Sequence, residues 1–243
     1  ETRWSLLHTA RGGMRRPIDL SRPIHTNYHF RSFFMTPILR LALCLLALAV
    51  VTPVMANTLG PDVAVMKIRF GKEKERQQVV IGLYDSTTPL TVANFKELAT
   101  DRFYRGMRFH RVFPDLLVQT GDPNSRRGES DKSGTGGPGY TVPAEIRLPH
   151  KRGSVVMSRL ADVTNPTRAS NGSQFYVCLA PMPQLDGKYT VFGEVLEGIE
   201  VLEAISKKQT DSNDFPLEKI VIESITIVPR DSLNATTTPS PGL

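Results

Sequence analysis

Apolar and polar positions alternate along much of the chain in the way typical of short β-strands. Alternation predicts a strand over Val63–Phe70, and the β-rich run Val79–Tyr84 predicts a second. The polar residues 71–78 between them predict a hairpin connection. Further short β-type runs lie at 153–157, 174–179, 190–195 and 220–228.

Two other segments carry apolar residues at helical spacing. One opens at Thr88-Pro89, and the other spans residues 198–208. The apolar faces consist of Val92, Phe95, Leu98 and Ala99 in the first segment, and Ile199, Leu202 and Ile205 in the second. Many short strands with only two helices predict a mainly β fold, built as a closed or nearly closed antiparallel barrel.

The first 56 residues differ in charge from the rest of the chain. They hold seven Arg, no Lys and two acidic residues, whereas the remainder carries 23 basic and 22 acidic side chains. The formal net charge of +6 therefore lies almost wholly in this segment. A globular part so close to neutral argues against nucleic-acid binding.

Residues 35–56 have the order of a signal peptide. A positive charge in Met35–Arg40 precedes the 11-residue apolar run Leu41–Val51, and short side chains follow up to Ala56. The run is too short to span a bilayer comfortably. We therefore expect cleavage after Ala56 and a periplasmic or secreted monomer with no membrane attachment. An uncleaved N-terminal anchor, or delivery to an organelle lumen, is the alternative.

The remaining boundaries follow from composition. Residues 1–34 fit no structural class and are either untranslated or targeting sequence. Residues 57–230 form the predicted globular domain. The Thr/Pro-rich end, within 231–243, predicts a disordered tail.

Several familiar chemical signals are weak in this chain. The glycine run 134–139 matches G-x-G-x-x-G, but it follows a polar loop and no helix opens after it, so it predicts no dinucleotide site. It is either flexible backbone beside a groove or a surface turn. After residue 56 the chain has one cysteine, Cys178, and only His110 and His150, which predicts no metal site. No cofactor is expected.

Three polar side chains interrupt apolar runs. Arg111 lies in the segment Phe109–Pro114, and Gln119 and Gln174 each adjoin apolar residues. By pattern alone, Arg111 on a solvent-facing strand surface and core amides with satisfied hydrogen bonds explain them as well as a functional site does.

Several separated motifs resemble those of the cyclophilins. They are Phe109-His110-Arg111-Val112, Gln119-Thr120-Gly121-Asp122, Asn171-Gly172-Ser173-Gln174-Phe175, Leu185-Asp186-Gly187-Lys188 and Val191-Phe192-Gly193. Their order and spacing match over about residues 62–230. The resemblance implies a closed eight-stranded antiparallel barrel capped by two α-helices. It also implies peptidyl-prolyl cis/trans isomerase activity on proline-containing polypeptides, without a metal or cofactor.

The resemblance also implies the site residues. Arg111 matches the family's catalytic arginine, and Gln119 and Gln174 match its groove-lining glutamines. Leu116 and Leu117 stand where the family usually has Phe and Met. The full set expected to bind substrate is His110, Leu116, Leu117, Gln119, Gly134, Ser158, Arg159, Gln174, Tyr176, Leu185 and Tyr189.

The sequence departs from the family pattern at three places. Leu116 replaces an aromatic pocket wall. Gln184 stands where many members carry a Trp that contributes to cyclosporin binding, so we expect weak binding of that drug. About six extra residues lie between Met157 and Asn171, and this 158–170 insertion is expected to reshape one wall of the groove. The function implied is assistance to the folding of exported proteins; a non-catalytic proline-binding or chaperone module is the alternative.

Overall fold

The computed structural model describes residues 58–237, with side chains up to residue 233. The predicted signal peptide at 35–56 and the unassigned residues 1–34 lie outside the described residues. Of the predicted tail, residues 238–243 also lie outside. Its first part, residues 231–237, lies in the 3-10 helix Arg230–Thr237.

The described residues form ten strands, two α-helices and three 3-10 helices. The strands are β1 (Asp62–Phe70), β2 (Gln77–Leu83), β3 (Arg111–Phe113), β4 (Leu117–Thr120), β5 (Thr141–Val142), β6 (Ser154–Met157), β7 (Ser170–Asn171), β8 (Phe175–Cys178), β9 (Val191–Glu197) and β10 (Ile220–Pro229). The α-helices are α1 (Pro89–Thr100) and α2 (Ile199–Ser206). The other two 3-10 helices are Pro123–Arg127 and Pro183–Leu185.

Eight strands make one antiparallel sheet in the order β10-β1-β2-β9-β6-β8-β4-β3. Its two ends approach each other at a single bridge between Arg108 and Val221. Next to this bridge, the Phe109 amide donates to the Ile220 carbonyl at 3.2 Å. The eight-stranded, mainly β fold with two helices is confirmed, but the barrel closes through this short contact rather than a continuous ladder. β5 and β7 form a separate two-stranded ribbon.

Helix α1 begins where the sequence predicts and packs its apolar face on the barrel. Pro89 suits a first helical turn because its missing N–H would have no partner there. The buried Glu145 carboxylate accepts from the Thr91 amide at 2.9 Å and so satisfies one of the free N–H groups. Inside, the Phe95 ring lies 5.1–5.7 Å from three aromatic rings, those of Tyr104, Phe175 and Phe192.

The outer face of β6 and β8 carries a second apolar cluster. Strand alternation sends Phe175 and Val177 into the main core and leaves Tyr176 and Cys178 outside it. An outer barrel face is normally polar, so an apolar one needs a cover. Partly buried side chains that pack on this cluster include Leu117, Leu185 and Tyr189. This half-covered patch is where the candidate site lies.

No helix among the described residues combines the length and the apolar character needed to cross a membrane.

Candidate functional site

Strand register brings three distant side chains into one row. Arg111 of β3 pairs with Gln119 of β4, and Gln119 pairs with Tyr176 of β8. Neighbouring strands are about 4.8 Å apart, and paired residues project on the same face. A guanidinium, an amide and a phenol ring therefore stand side by side on the outer face of the barrel.

A surface groove of about 1280 Å³ runs along this row. Eleven of the twelve predicted site residues line it. They are His110, Arg111, Leu117, Gln119, Gly134, Ser158, Arg159, Gln174, Tyr176, Leu185 and Tyr189. The groove is open along its length, which suits an extended polypeptide.

Leu116 is the exception among the predicted site residues. It lies in the turn between β3 and β4, its side chain is 37% exposed, and it is not part of the groove lining. Its backbone is used structurally, since its carbonyl accepts from the Leu179 amide at 2.8 Å. Strand β4 begins at Leu117, whose side chain faces the groove. Leu117 therefore lines the groove, and Leu116 does not.

The two glutamines form a connected hydrogen-bond chain. Gln119 Nε2 donates to Gln174 Oε1 at 3.0 Å, and Gln174 Nε2 donates to the Gly136 carbonyl at 2.8 Å. Gln174 is almost fully buried, so these bonds offset the cost of removing its amide from water. In the described structure Gln119 makes no hydrogen bond to Arg111. These hydrogen bonds hold both glutamine side chains in place in the groove beside Arg111.

Buried Asp122 holds the glycine run against the groove. Its carboxylate accepts from the amides of Asn124 at 2.7 Å and Gly136 at 3.2 Å, and from the amide of Gly134. A Cβ on Gly136 would lie 2.3 Å from the Asp122 Oδ1 atom, so only glycine allows this approach. The glycine run 134–139 is therefore backbone beside the groove rather than a remote surface turn, and Asp122 holds it in place.

The apolar end of the groove is a pocket of Leu117, Tyr176, Leu185 and Tyr189. The Tyr189 ring meets that of Tyr176 edge-on at 6.0 Å. Such tilted aromatic pairs stabilise each other beyond simple burial. These four side chains form the apolar part of the groove lining.

A polar network of buried His150, buried Tyr176 and exposed Asp186 lies behind this pocket. His150 Nδ1 lies 2.9 Å from Asp186 Oδ1, and His150 Nε2 lies 3.1 Å from the Tyr176 hydroxyl. Hydrogen bonds from the backbone and ring of His150 hold the pKa of Asp186 below its usual range. The ionised carboxylate can only accept, so His150 Nδ1 donates to it. Neither His150 nor Asp186 was predicted as a site residue.

The 158–170 insertion supports the same pocket through Arg159. The Arg159 side chain is only 5% exposed and lies 4.6 Å above the Tyr189 ring. Its Nε donates to the Lys188 carbonyl at 2.7 Å, and its Nη1 pairs with Asp162 at 2.6 Å. The Arg159 guanidinium thus makes its polar contacts within the protein. Arg159 lines the groove as predicted, but its charged group packs on Tyr189 and is held by these internal contacts.

Arg111 itself is half exposed at the edge of the row. Its guanidinium carbon lies 4.8 Å from the centre of the Phe113 ring, so an aromatic face supports one side of it. The Asp214 carboxylate lies 3.6 Å from its Nε. Asp214 was not predicted as a site residue, because it lies in a loop about 100 residues from Arg111 and belongs to none of the motifs that resemble the family's.

His110, next to Arg111, should make stability depend on pH. Its ring is buried, both ring nitrogens lack a hydrogen-bond partner within the described residues, and burial lowers the pKa of His110 from 6.5 to about 4. The unfolded chain takes up a proton near pH 6.5, but the folded protein does so only near pH 4. We therefore expect His110 to leave the free energy of unfolding unchanged above pH 6.5. As pH drops from 6.5 toward 4, it should lower that free energy by up to about 3 kcal/mol.

Urea unfolding at several pH values between 4 and 7 measures this dependence, with His110→Gln as the comparison. We expect the variant to lose less stability than the wild type across this window. Equal losses in the two proteins would show that His110 is not the group responsible.

Comparison with known proteins agrees with the geometry. Residues 65–227 match the family model described as cyclophilin type peptidyl-prolyl cis-trans isomerase/CLD. The chain is 38% identical over 170 residues to peptidyl-prolyl cis-trans isomerase D of Saccharomyces cerevisiae, covering 67% of this chain and 72% of the yeast protein. It is 37% identical over 169 residues to peptidyl-prolyl cis-trans isomerase A of Mycobacterium tuberculosis, covering 63% and 87%.

A solved structure shows the same fold. The crystal structure of a cyclophilin type peptidyl-prolyl cis-trans isomerase from Cryptosporidium parvum matches with a TM-score of 0.59 at 26% identity, covering 70% of this chain and 98% of that one. The chain belongs to the cyclophilin family, and its activity is cis/trans isomerisation of X-Pro peptide bonds.

Proposed function

We propose that this isomerase assists the folding of exported polypeptides, and that Arg111 donates to the prolyl nitrogen while the amide is twisted. The observation that carries the mechanism is the cross-strand row. It places a half-exposed guanidinium on the groove that holds the apolar pocket.

The chemistry needs no nucleophile. Rotation about the peptide bond meets a barrier of about 18–20 kcal/mol because resonance makes the C–N bond partly double. Uncatalysed isomerisation of X-Pro bonds takes roughly 10–100 s at room temperature. Twisting the amide breaks the resonance and localises a lone pair on the prolyl nitrogen. A donor to that nitrogen binds the twisted state more strongly than either planar state, which is what lowers the barrier.

Arginine suits this role. Its guanidinium stays charged at all relevant pH values and presents several donors in a planar fork. While the pocket of Leu117, Tyr176, Leu185 and Tyr189 holds the proline ring, the residue before proline can rotate. A related structure supports a proline ring as occupant, since the Cryptosporidium parvum protein was also crystallised in the presence of the dipeptide Ala-Pro.

A protease-coupled assay on a proline-containing peptide tests the function with the purified protein. We expect acceleration of the cis-to-trans step. Binding of the peptide without acceleration would instead identify a non-catalytic proline-binding module.

The location is proposed from residues 35–56 alone. We propose export to the periplasm or the exterior, with the mature protein a monomer that begins at Asn57. N-terminal sequencing of the protein recovered from outside the cytoplasm tests this. An N-terminus upstream of residue 35, or retention in the membrane fraction, would contradict it.

Cyclosporin should bind weakly. Gln184 lies in the 3-10 helix Pro183–Leu185, directly before the pocket residue Leu185, and is exposed. A polar amide there offers far less apolar contact than the indole of the Trp-bearing relatives, and such aromatic contacts often dominate binding energy. We expect Gln184→Trp to tighten the dissociation constant by about tenfold or more, measured by calorimetry. Wild-type binding as tight as that of the variant would refute the expectation.

A further inference from the structure

The catalytic arginine has an acidic neighbour that no part of the proposed mechanism uses. Asp214 lies in the connection between α2 and β10, with its Oδ2 atom 3.6 Å from Arg111 Nε. Within the described structure, Arg111 is the only ion-pair or hydrogen-bond partner of this carboxylate. The two side chains are 52% and 41% exposed, so the pair contributes little to stability. A gain in stability therefore does not explain why Asp214 is placed beside Arg111.

The backbone at Asp214 is unusual. Its φ of 62° lies in the left-handed region, which residues other than glycine adopt rarely and at a cost. Its carbonyl accepts from the Val112 amide at 3.0 Å. Asp214 is thereby tied to β3 at the residue that directly follows Arg111.

A second aspartate braces the same turn. Asp211 Oδ1 accepts from the Asn213 amide at 2.8 Å and from the Phe215 amide at 3.1 Å. The Asp214 amide in turn donates to the Asp211 carbonyl at 3.2 Å. The turn is held without help from the Asp214 side chain, so the carboxylate is free to act on Arg111.

We propose that Asp214 is a positioning residue for Arg111; the inference rests on the proposed role of Arg111 in isomerisation. Phe113 supports one face of the guanidinium, and Asp214 holds its Nε edge. An unrestrained arginine samples many rotamers, and each catalytic event must then order it. Holding the Nε edge leaves the terminal nitrogens for the prolyl nitrogen and reduces that ordering.

The variant Asp214→Asn tests the proposal. Asparagine tolerates the left-handed region, so the turn should keep its shape while the charge is lost. We expect kcat on a proline-containing peptide to fall by about three- to tenfold, with KM changed less than twofold. Asp115→Asn is the matched control. Asp115 also has a positive φ, 55°, and also forms an exposed ion pair, but with Lys207 rather than with Arg111. Its kcat should equal that of the wild type.

A double-mutant cycle separates positioning from other effects. In an Arg111→Ala background, Asp214→Asn should cause no further loss, because the residue through which it acts is gone. A further loss there, an unchanged kcat in the single variant, or an effect on KM alone would each overturn the proposal. If Asp214→Asn disturbs folding, Asp214→Gly removes the carboxylate while relieving the backbone, and the same fall in kcat is expected.

The experiment also distinguishes this inference from the proposed function. If Arg111→Ala retains full activity, the proposed mechanism fails and the role of Asp214 fails with it. If Arg111→Ala is impaired and Asp214→Asn is not, only the positioning role is wrong.

Discussion

Replacing Arg111 by Ala should lower kcat/KM for a proline-containing peptide by at least about tenfold, equivalent to roughly 1.4 kcal/mol of transition-state stabilisation. The guanidinium is the cationic group of the cross-strand row, and it lines the same groove as the apolar pocket of Leu117, Tyr176, Leu185 and Tyr189. In the proposed mechanism, its loss removes an interaction made chiefly in the twisted state. The effect should therefore fall on kcat more than on KM.

The variant should remain folded. Arg111 is half exposed and its ion pair with Asp214 is long, so its truncation removes little packing. Urea unfolding provides the check. Arg111→Lys keeps the charge but loses the planar fork, and we expect it to recover only part of the activity. Full activity of a folded Arg111→Ala protein would end the proposed mechanism.

The second large effect concerns stability. Replacing Asp122 by Ala should lower the free energy of unfolding by about 3 kcal/mol, because a fully buried carboxylate that serves three backbone amides is removed. The glycine run would lose its anchor. Gln174 would then lose the fixed Gly136 carbonyl that it donates to, and kcat/KM should fall as well.

Urea unfolding and the isomerase assay on the same samples measure both effects. Asp122→Asn keeps one acceptor oxygen, so we expect a smaller loss of stability. Asp131→Ala removes an exposed aspartate from the same loop and should change stability by less than about 0.5 kcal/mol. If Asp122→Ala unfolds at the same urea concentration as the Asp131 variant, the buried carboxylate is not holding the loop.

Local pattern was enough for both α-helices and for six of the ten strands. Both α-helices and the strands predicted from Val63, Val79, Gly153, Gln174, Thr190 and Ile220 onward occur with ends shifted by two residues or fewer. These elements are readable because each depends on a repeat of its own side chains, every second residue in a strand or three to four in a helix. β4 was not predicted as a strand. β5 and β7 were not predicted either, since two-residue strands are too short to show a repeat.

The motifs shared with the family also predicted the residues that line the groove, with one exception. Arg111, Gln119, Gln174 and Tyr176 line the groove, but Leu116 does not. Leu116 was predicted as a site residue because it stands where the family usually has an aromatic pocket residue. Its actual direction depends on where β4 begins, and that is a property of the pairing with β8 rather than of the segment itself.

The amino-acid sequence by itself determined the fold class, both α-helices, most of the strands and the identity of the arginine. Each of these depends on residues close together in the chain or on a motif they share. Only the tertiary structure decided what surrounds the arginine. Strand register set Gln119 and Tyr176 beside Arg111, and loop packing brought Asp214 to its guanidinium. His150 and Asp186 likewise met only behind the pocket. Such contacts join residues far apart in the chain, and no local repeat records them.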